Sequence, residues 1–427
     1  MSFFPTPLQL SFEFSATLFN RTLSIGNKPK TPAYADASTQ TDIESKEVTN
    51  NPPPKKINDP TWMLENANEK QLVMSMPLEN TRQSAIAVSS KNGYKLMCSY
   101  SWKKTKTPTI YVPGSPAVFI PYNISKQKGI RLALDSGRHW VDQHAKRVPK
   151  HQFEPVFQAL TVVNPEVLFN DVDIVVNRSS LMMLVRFLRN QSSQAFHLDL
   201  DIVQNTLFLG RKVKNAMVES TEGSYGRTFE NHFTAEDAQL QDADGHHRIL
   251  QYNFGGLNMV VRVETDAYIP NTQMLMGCRP DDLQESLSAN GICHQSPQPT
   301  TVIAKGTMVS HASTIEIKSN DSSRPLEQMW FGRTPYCCLG KQKQGFFTRA
   351  EVKYVTHEDF EEWEGKQQEV LQKLVWLLQE LRTVVKEKSR EGSAVLVSLG
   401  KGEPIEVYET KTRVGALPQE IVERFWT

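Results

Sequence analysis

The tetrad Val263-Glu264-Thr265-Asp266 limits most strongly what this chain can become. It closes an apolar run, Leu257-Asn258-Met259-Val260-Val261-Arg262-Val263, that reads as a buried strand. Side chains two apart on a strand share a face, so Glu264 and Asp266 are expected to point together. A later strand signal ends in Ile315-Glu316-Ile317-Lys318, where Glu316 and Lys318 obey the same rule. If the two strands are neighbours, three carboxylates and an ammonium converge on one side of a sheet. Such a cluster can hold divalent metal beside a phosphodiester. As isolated triplets, the same residues read equally well as solvent-facing charges on amphipathic strands.

Composition sets bounds without choosing between these readings. The 427 residues carry 48 Lys and Arg against 47 Asp and Glu, a net charge of +1, so a polyanion would need a local basic groove. Hydrophobic residues at 39% and charged residues at 22% are globular values. No apolar run approaches the roughly 20 residues that span a bilayer, and the N-terminus lacks the basic and apolar regions of a signal peptide. No membrane partner is expected. The five cysteines, Cys98, Cys278, Cys293, Cys337 and Cys338, are scattered and contain no C-x-x-C pair. That pattern argues against a disulfide framework or a zinc site and for a reducing compartment, nucleus or cytosol.

Along the chain, residues 1–60 are expected to be disordered or weakly ordered, ending near Pro52-Pro53-Pro54-Lys55-Lys56. Residues 61–427 are expected to form a single domain. Ala85–Val88 and Tyr94–Trp102 read as a hairpin, Thr109–Val112 as a strand and Phe153–Leu160 as a helix. Val172–Arg178 reads as a strand running into Ser179, which is expected to cap a helix over Leu181–Leu188. Arg178 then stands beside a helix N-terminus, a place that suits phosphate or a buried carboxylate partner. Asp242–His247 reads as a loop whose two histidines are solvated, and 277–300 as a polar insertion. The clearest helix covers 359–388, begun by Thr356 and Asp359 and striped by Leu371, Leu374, Val375, Leu378, Leu381 and Val385.

The order of these pieces is informative. A strand ending in Arg178, then Gly226-x-x-x-Glu230, Glu264-x-Asp266, Glu316-x-Lys318 and Gln328, resembles the motif succession of the DXO/Rai decapping-nuclease family. Cys98–Trp102, Pro108–Pro116 and Gln328-x-x-Phe331-Gly332-x-x-Pro335 resemble the same family, and the likeness covers roughly residues 85–427. Two motifs depart from it: Gly226-Arg227-Thr228-Phe229-Glu230 stands where the family has G-Y-K-F-E, and Asn177-Arg178-Ser179 where it has W-R-G.

The resemblance implies an α+β fold of strongly bent mixed sheets packed with helices around a PD-(D/E)XK nuclease-like core. It implies two Mg²⁺ or Mn²⁺ ions held by Glu230, Asp266, Glu316 and the carbonyl of Ile317. Glu264, Asp266, Glu316 and Lys318 would be catalytic, Glu264 near a water and Lys318 orienting it. Arg178, Glu230, Lys318 and Gln328 would meet the substrate. The expected activity is hydrolysis at RNA 5′ ends, removing incomplete, NAD or triphosphate caps, with or without 5′→3′ exonuclease action, in the nucleus first and the cytosol second. The alternatives are a general metal-dependent nuclease, or a non-catalytic adaptor stimulating an Xrn-type exoribonuclease.

Overall fold

The computed structural model describes residues 60–122, 128–270, 288–294, 300–320 and 324–426, with backbone alone at 60, 288–294 and 324. The expectations for residues 1–59, and most of those for the 277–300 insertion, lie outside these residues.

Alternation along the strands sets the layers. In Ile174–Asn177, Ile174 and Val176 join one apolar cluster and Val175 another, so this strand is buried on both faces. The first cluster takes in the helices Arg178–Leu188 and His357–Lys388, and the second takes in Glu154–Val163 and Gln419–Phe425. Between them runs a twelve-stranded mixed sheet. Its order is Ala67–Met76, Ile405–Thr410, Ser393–Ser398, Phe196–Val203, Thr206–Lys212, Ile174–Asn177, Leu257–Glu264, Ala243–Phe254, Lys95–Lys103, Thr109–Pro113, Thr301–Thr307 and Ser288–His294. A seven-stranded sheet has the order Thr234–Ala235, Ala117–Phe119, Ala267–Tyr268, Thr314–Lys318, Tyr336–Lys343, Phe346–Tyr354 and Ile130–Arg131. The fold is α+β, with large, strongly bent mixed sheets.

Three segments cross directly from the large sheet to the small one. The chain leaves the large sheet at Pro113, Glu264 and Thr307 and enters the smaller one at Ala117, Ala267 and Thr314. The acidic tetrad is therefore not one continuous strand, as its pattern suggests. Glu264 is the last residue of the large sheet, and Thr265-Asp266 bridge to the small one. No described helix is long and apolar enough to cross a membrane.

Other expectations are corrected by local chemistry. Ala85–Val88 is not a strand, because a side-chain amide replaces the missing partner. Gln368 accepts from the Val88 N–H at 3.1 Å and donates to the Val88 carbonyl at 2.7 Å. The helix after Ile174–Asn177 begins at Arg178 with Asn177 in the cap position, not at Ser179. Asp242–His247 is not a solvated loop: the strand starts at Ala243, and His246 and His247 are buried. Ser288–His294, within the expected insertion, pairs as an edge strand with Thr301–Thr307. The long helix runs His357–Lys388, with Thr356 and Asp359 closing the capping box. Cys98, Cys337 and Cys338 are buried and free.

Candidate active site

Register carries distant residues to the seam between the sheets. Asn177 pairs in parallel with Arg262, so Arg178 continues beside Val263-Glu264. Ala267 pairs antiparallel with Ile315, which brings Asp266 level with Glu316. Glu230 enters from the short helix Gly226–His232, and Gln328 from the helix Arg324–Gly332.

Glu316 is the hub. Its side chain is 2% exposed and accepts from Lys318 Nζ at 2.5 Å, Gln328 Nε2 at 2.7 Å and Arg178 Nη1 at 3.0 Å. Despite burial, the Arg178 and Lys318 charges and their hydrogen bonds bring its carboxyl down to about 2. Gly332 makes room for the guanidinium: a Cβ there would stand 2.9 Å from Arg178 Nη1. Lys318 also lies 4.0 Å from Asp266, whose other anchor is the Ile317 N–H at 2.8 Å. Burial and then the Glu316 charge push Asp266 up to about 7. Burial, followed by Asp266 and Glu264, raises Glu230 well above the carboxylate range. Glu264 is exposed on one side, yet the protein enclosing its other sides raises its carboxyl against the pull of Arg178.

Two cavities meet at Glu264. One, of about 280 Å³, is lined by Arg178, Gln328, His144, His247 and Arg262, and the other, of about 550 Å³, by Glu230, Asp266, Arg227 and His246. Trp140, Gln143 and Glu264 line both. No motif in the sequence marks this wall. Arg262 is buried in its strand and donates to Asn177 Oδ1 at 2.9 Å and to the Gln152 carbonyl at 2.6 Å. His144 meets Tyr100 Oη at 2.6 Å, and His247 packs against both rings. An arginine inside the apolar run Leu257–Val263 was the available signal.

All the expected site residues are thus drawn to one seam. Among the described residues, no group of three or more His, Cys, Asp or Glu side chains has the geometry to hold a metal ion. The reason is visible at Glu316, which is turned into Arg178, Lys318 and Gln328. The donor chemistry nevertheless fits a hard cation. Glu230, Glu264, Asp266 and Glu316 outnumber Lys318 and Arg178 four to two, and all four carboxylates supply oxygen.

The fold is similar to that of solved Rai1 structures. Candida albicans Rai1, solved in complex with pU5–Mn²⁺, is 12% identical, with 82% of this chain and 98% of that chain covered and a TM-score of 0.51. S. pombe Rai1 is 10% identical, with 78% and 98% covered and a TM-score of 0.49. K. lactis Dxo1 in complex with manganese is 11% identical, with 81% and 99% covered and a TM-score of 0.47. In sequence, no curated protein matches. The family described as "Domain of unknown function (DUF8563)" matches residues 71–426, and the chain belongs to that family.

Proposed function

We propose that the seam hydrolyses a phosphate linkage at the 5′ end of RNA, removing an incomplete, NAD or triphosphate cap with the help of divalent metal. The observation that carries this reading is the convergence of Arg178, Glu230, Glu264, Asp266, Glu316, Lys318 and Gln328, from five separate segments, on one cleft with surplus negative charge. Glu230, Asp266, Glu316 and the Ile317 carbonyl would hold Mg²⁺ or Mn²⁺. The metal, when bound, neutralises phosphate charge and lowers the pKa of its water.

The chain's own residues do the rest. Lys318, held between Glu316 and Asp266, stays protonated and offsets charge developing on the phosphorus oxygens. Glu264, open to both cavities, accepts a hydrogen bond from the attacking water and orients it. Arg178 and Gln328 position Glu316 and present their remaining polar atoms to the phosphate side of the smaller cavity.

One feature favours a second reading. The three donors on Glu316 resemble a self-sufficient structural network, as expected of an adaptor that keeps the fold without the chemistry. The test compares wild type with Glu264→Ala/Asp266→Ala on 5′-triphosphate, NAD-capped, unmethylated-capped and 5′-monophosphate RNA in Mg²⁺ or Mn²⁺. Turnover of a capped substrate by wild type alone supports the decapping reading. An inert wild type overturns it in favour of the adaptor, and equal digestion of all four favours a general nuclease. Activity surviving in the double variant would mean the site lies elsewhere.

A further inference from the structure

The strand that carries Glu316 and Lys318 pairs in parallel with Tyr336–Lys343, with Glu316 opposite Cys337 and Lys318 opposite Leu339. Paired residues point to the same side of a sheet, and side chains alternate along each strand. Lys341 therefore shares the face of Lys318 one step further along, and Lys343 follows it on the same strand beyond a register shift between Lys341 and Gln342. Across the hairpin, Lys341 pairs with Arg349 and Leu339 with Glu351. This face thus continues from the acidic seam straight onto a basic strip. The hairpin Tyr336–Tyr354 holds Lys341, Lys343, Arg349 and Lys353 against a single acid, Glu351, in a chain whose net charge is only +1.

Two facts show that the strip does not serve stability. Lys341 and Arg349 are like charges directly opposite one another, an arrangement that destabilises a β-ladder. Glu351 is taken by Arg349 at 3.0 Å and Lys353 at 3.9 Å, and among the described residues Lys341 and Lys343 have no ion-pair partner. Both lysines and Arg349 are exposed.

The strip is also fixed relative to the seam. Phe347 of the hairpin stacks on Phe229, one residue before Glu230, with ring centroids 4.6 Å apart. Gly340 allows this approach, since a Cβ there would stand 2.8 Å from the Phe229 ring. Arg131 on the next strand adds a further cation, its guanidinium 5.7 Å from the Phe346 ring and bonded to the Gln344 carbonyl.

We propose that Lys341, Lys343 and Arg349 form a landing strip for the phosphate backbone of single-stranded RNA whose 5′ end occupies the cleft. The strip rests on the functional reading above and extends it from the end of the RNA to its body. Exposed cations spaced along one face, two of them without an ion-pair partner among the described residues, suit a sequence-independent backbone contact.

The experiment measures binding of 5′-phosphorylated single-stranded RNA, as a trinucleotide and as a long oligomer, and of duplex DNA, across a salt series. Wild type is compared with Lys341→Gln/Lys343→Gln/Arg349→Gln and with a control, Lys366→Gln/Lys386→Gln/Lys388→Gln, which removes equal charge from the long helix. All six positions are exposed, and thermal unfolding checks the fold of each variant. Losing three phosphate contacts should weaken long-RNA binding several tens-fold at physiological salt and lower the log–log salt slope by about 2. The control should bind as wild type does. Equal weakening in the control, or an unchanged slope in the hairpin variant, overturns the strip while leaving the cleft reading intact. Equal weakening for duplex DNA overturns its assignment to single strands. If wild type binds RNA of neither length, the functional reading fails as well.

Discussion

One short helix, Arg324–Gly332, serves two buried glutamates, and they could hardly be treated more differently. Its Gln328 donates to Glu316 at the seam, and its Trp330 donates to Glu364 on the long helix. Glu364, 4% exposed, accepts only neutral donors: Trp330 Nε1 at 2.8 Å, the Ser90 N–H at 2.8 Å and the Ser90 hydroxyl. Glu316 instead has a lysine and an arginine beside it, with three further acids close enough to shift one another. A carboxylate that fastens a loop to a helix needs nothing beyond its donors. A group of four around two cations is costly unless another cation or a substrate completes it.

Breaking the hub should have the largest effect. Glu316→Ala removes the ion-pair partner of buried Arg178 and leaves it only the Gln328 carbonyl at 3.5 Å, so urea unfolding should show a loss of about 3–5 kcal/mol. Turnover in the same variant should fall by roughly 10³. Glu364→Ala should separate the two properties. It orphans the indole N–H and the Ser90 amide, costing about 2–4 kcal/mol, while activity of the folded fraction stays near wild type. A loss of activity equal to that in Glu316→Ala would erase the distinction between the two sites.

The cleft wall offers a pH test. Burial and the Arg262 charge depress His144 from 6.5 to about 4, against the pull of Asp142. A depressed histidine contributes stability that is present above pH 6.5 and is lost as pH falls toward its folded value, because the unfolded chain takes up the proton first. Other buried groups titrate in the same window, so the informative quantity is the difference between wild type and His144→Gln. Between pH 7 and pH 5 that difference should move against wild type by about 2 kcal/mol.

The smallest effect has the opposite sign. Glu230→Gln removes one of the crowded acids and should raise stability by roughly 1 kcal/mol while abolishing turnover. Calorimetry paired with the cap-removal assay checks it. A destabilised Glu230→Gln would put Glu230 in the same class as Glu364.

What the sequence made legible was the inventory and its order. Glu230, Glu264, Asp266, Glu316, Lys318, Arg178 and Gln328 were all named by motif, and the long helix was read from its stripe and cap. What it hid depended on pairing between remote segments. Asp266 meets Glu316 through the register of Ala267 with Ile315, and Arg178 reaches the seam through the parallel pairing of Asn177 with Arg262. No local pattern encodes such a partner. His144 and His247 escaped for a related reason, since a histidine looks alike in a turn and in a buried strand until its neighbours are known. The Ala85–Val88 run failed because Gln368, far along the chain, supplied the hydrogen bonds that a strand would have given.

The crossing at Glu264–Ala267 also sets which changes in length the fold can absorb. Residues added between 270 and 300 leave the pairs Ala267–Ile315 and Thr301–Thr109 in place, since both ends return to strands already anchored. One residue gained or lost at Thr265 has no such freedom. It would change the span between the last residue of the large sheet and the first of the small one, and with it the spacing of the two carboxylates on which the site depends.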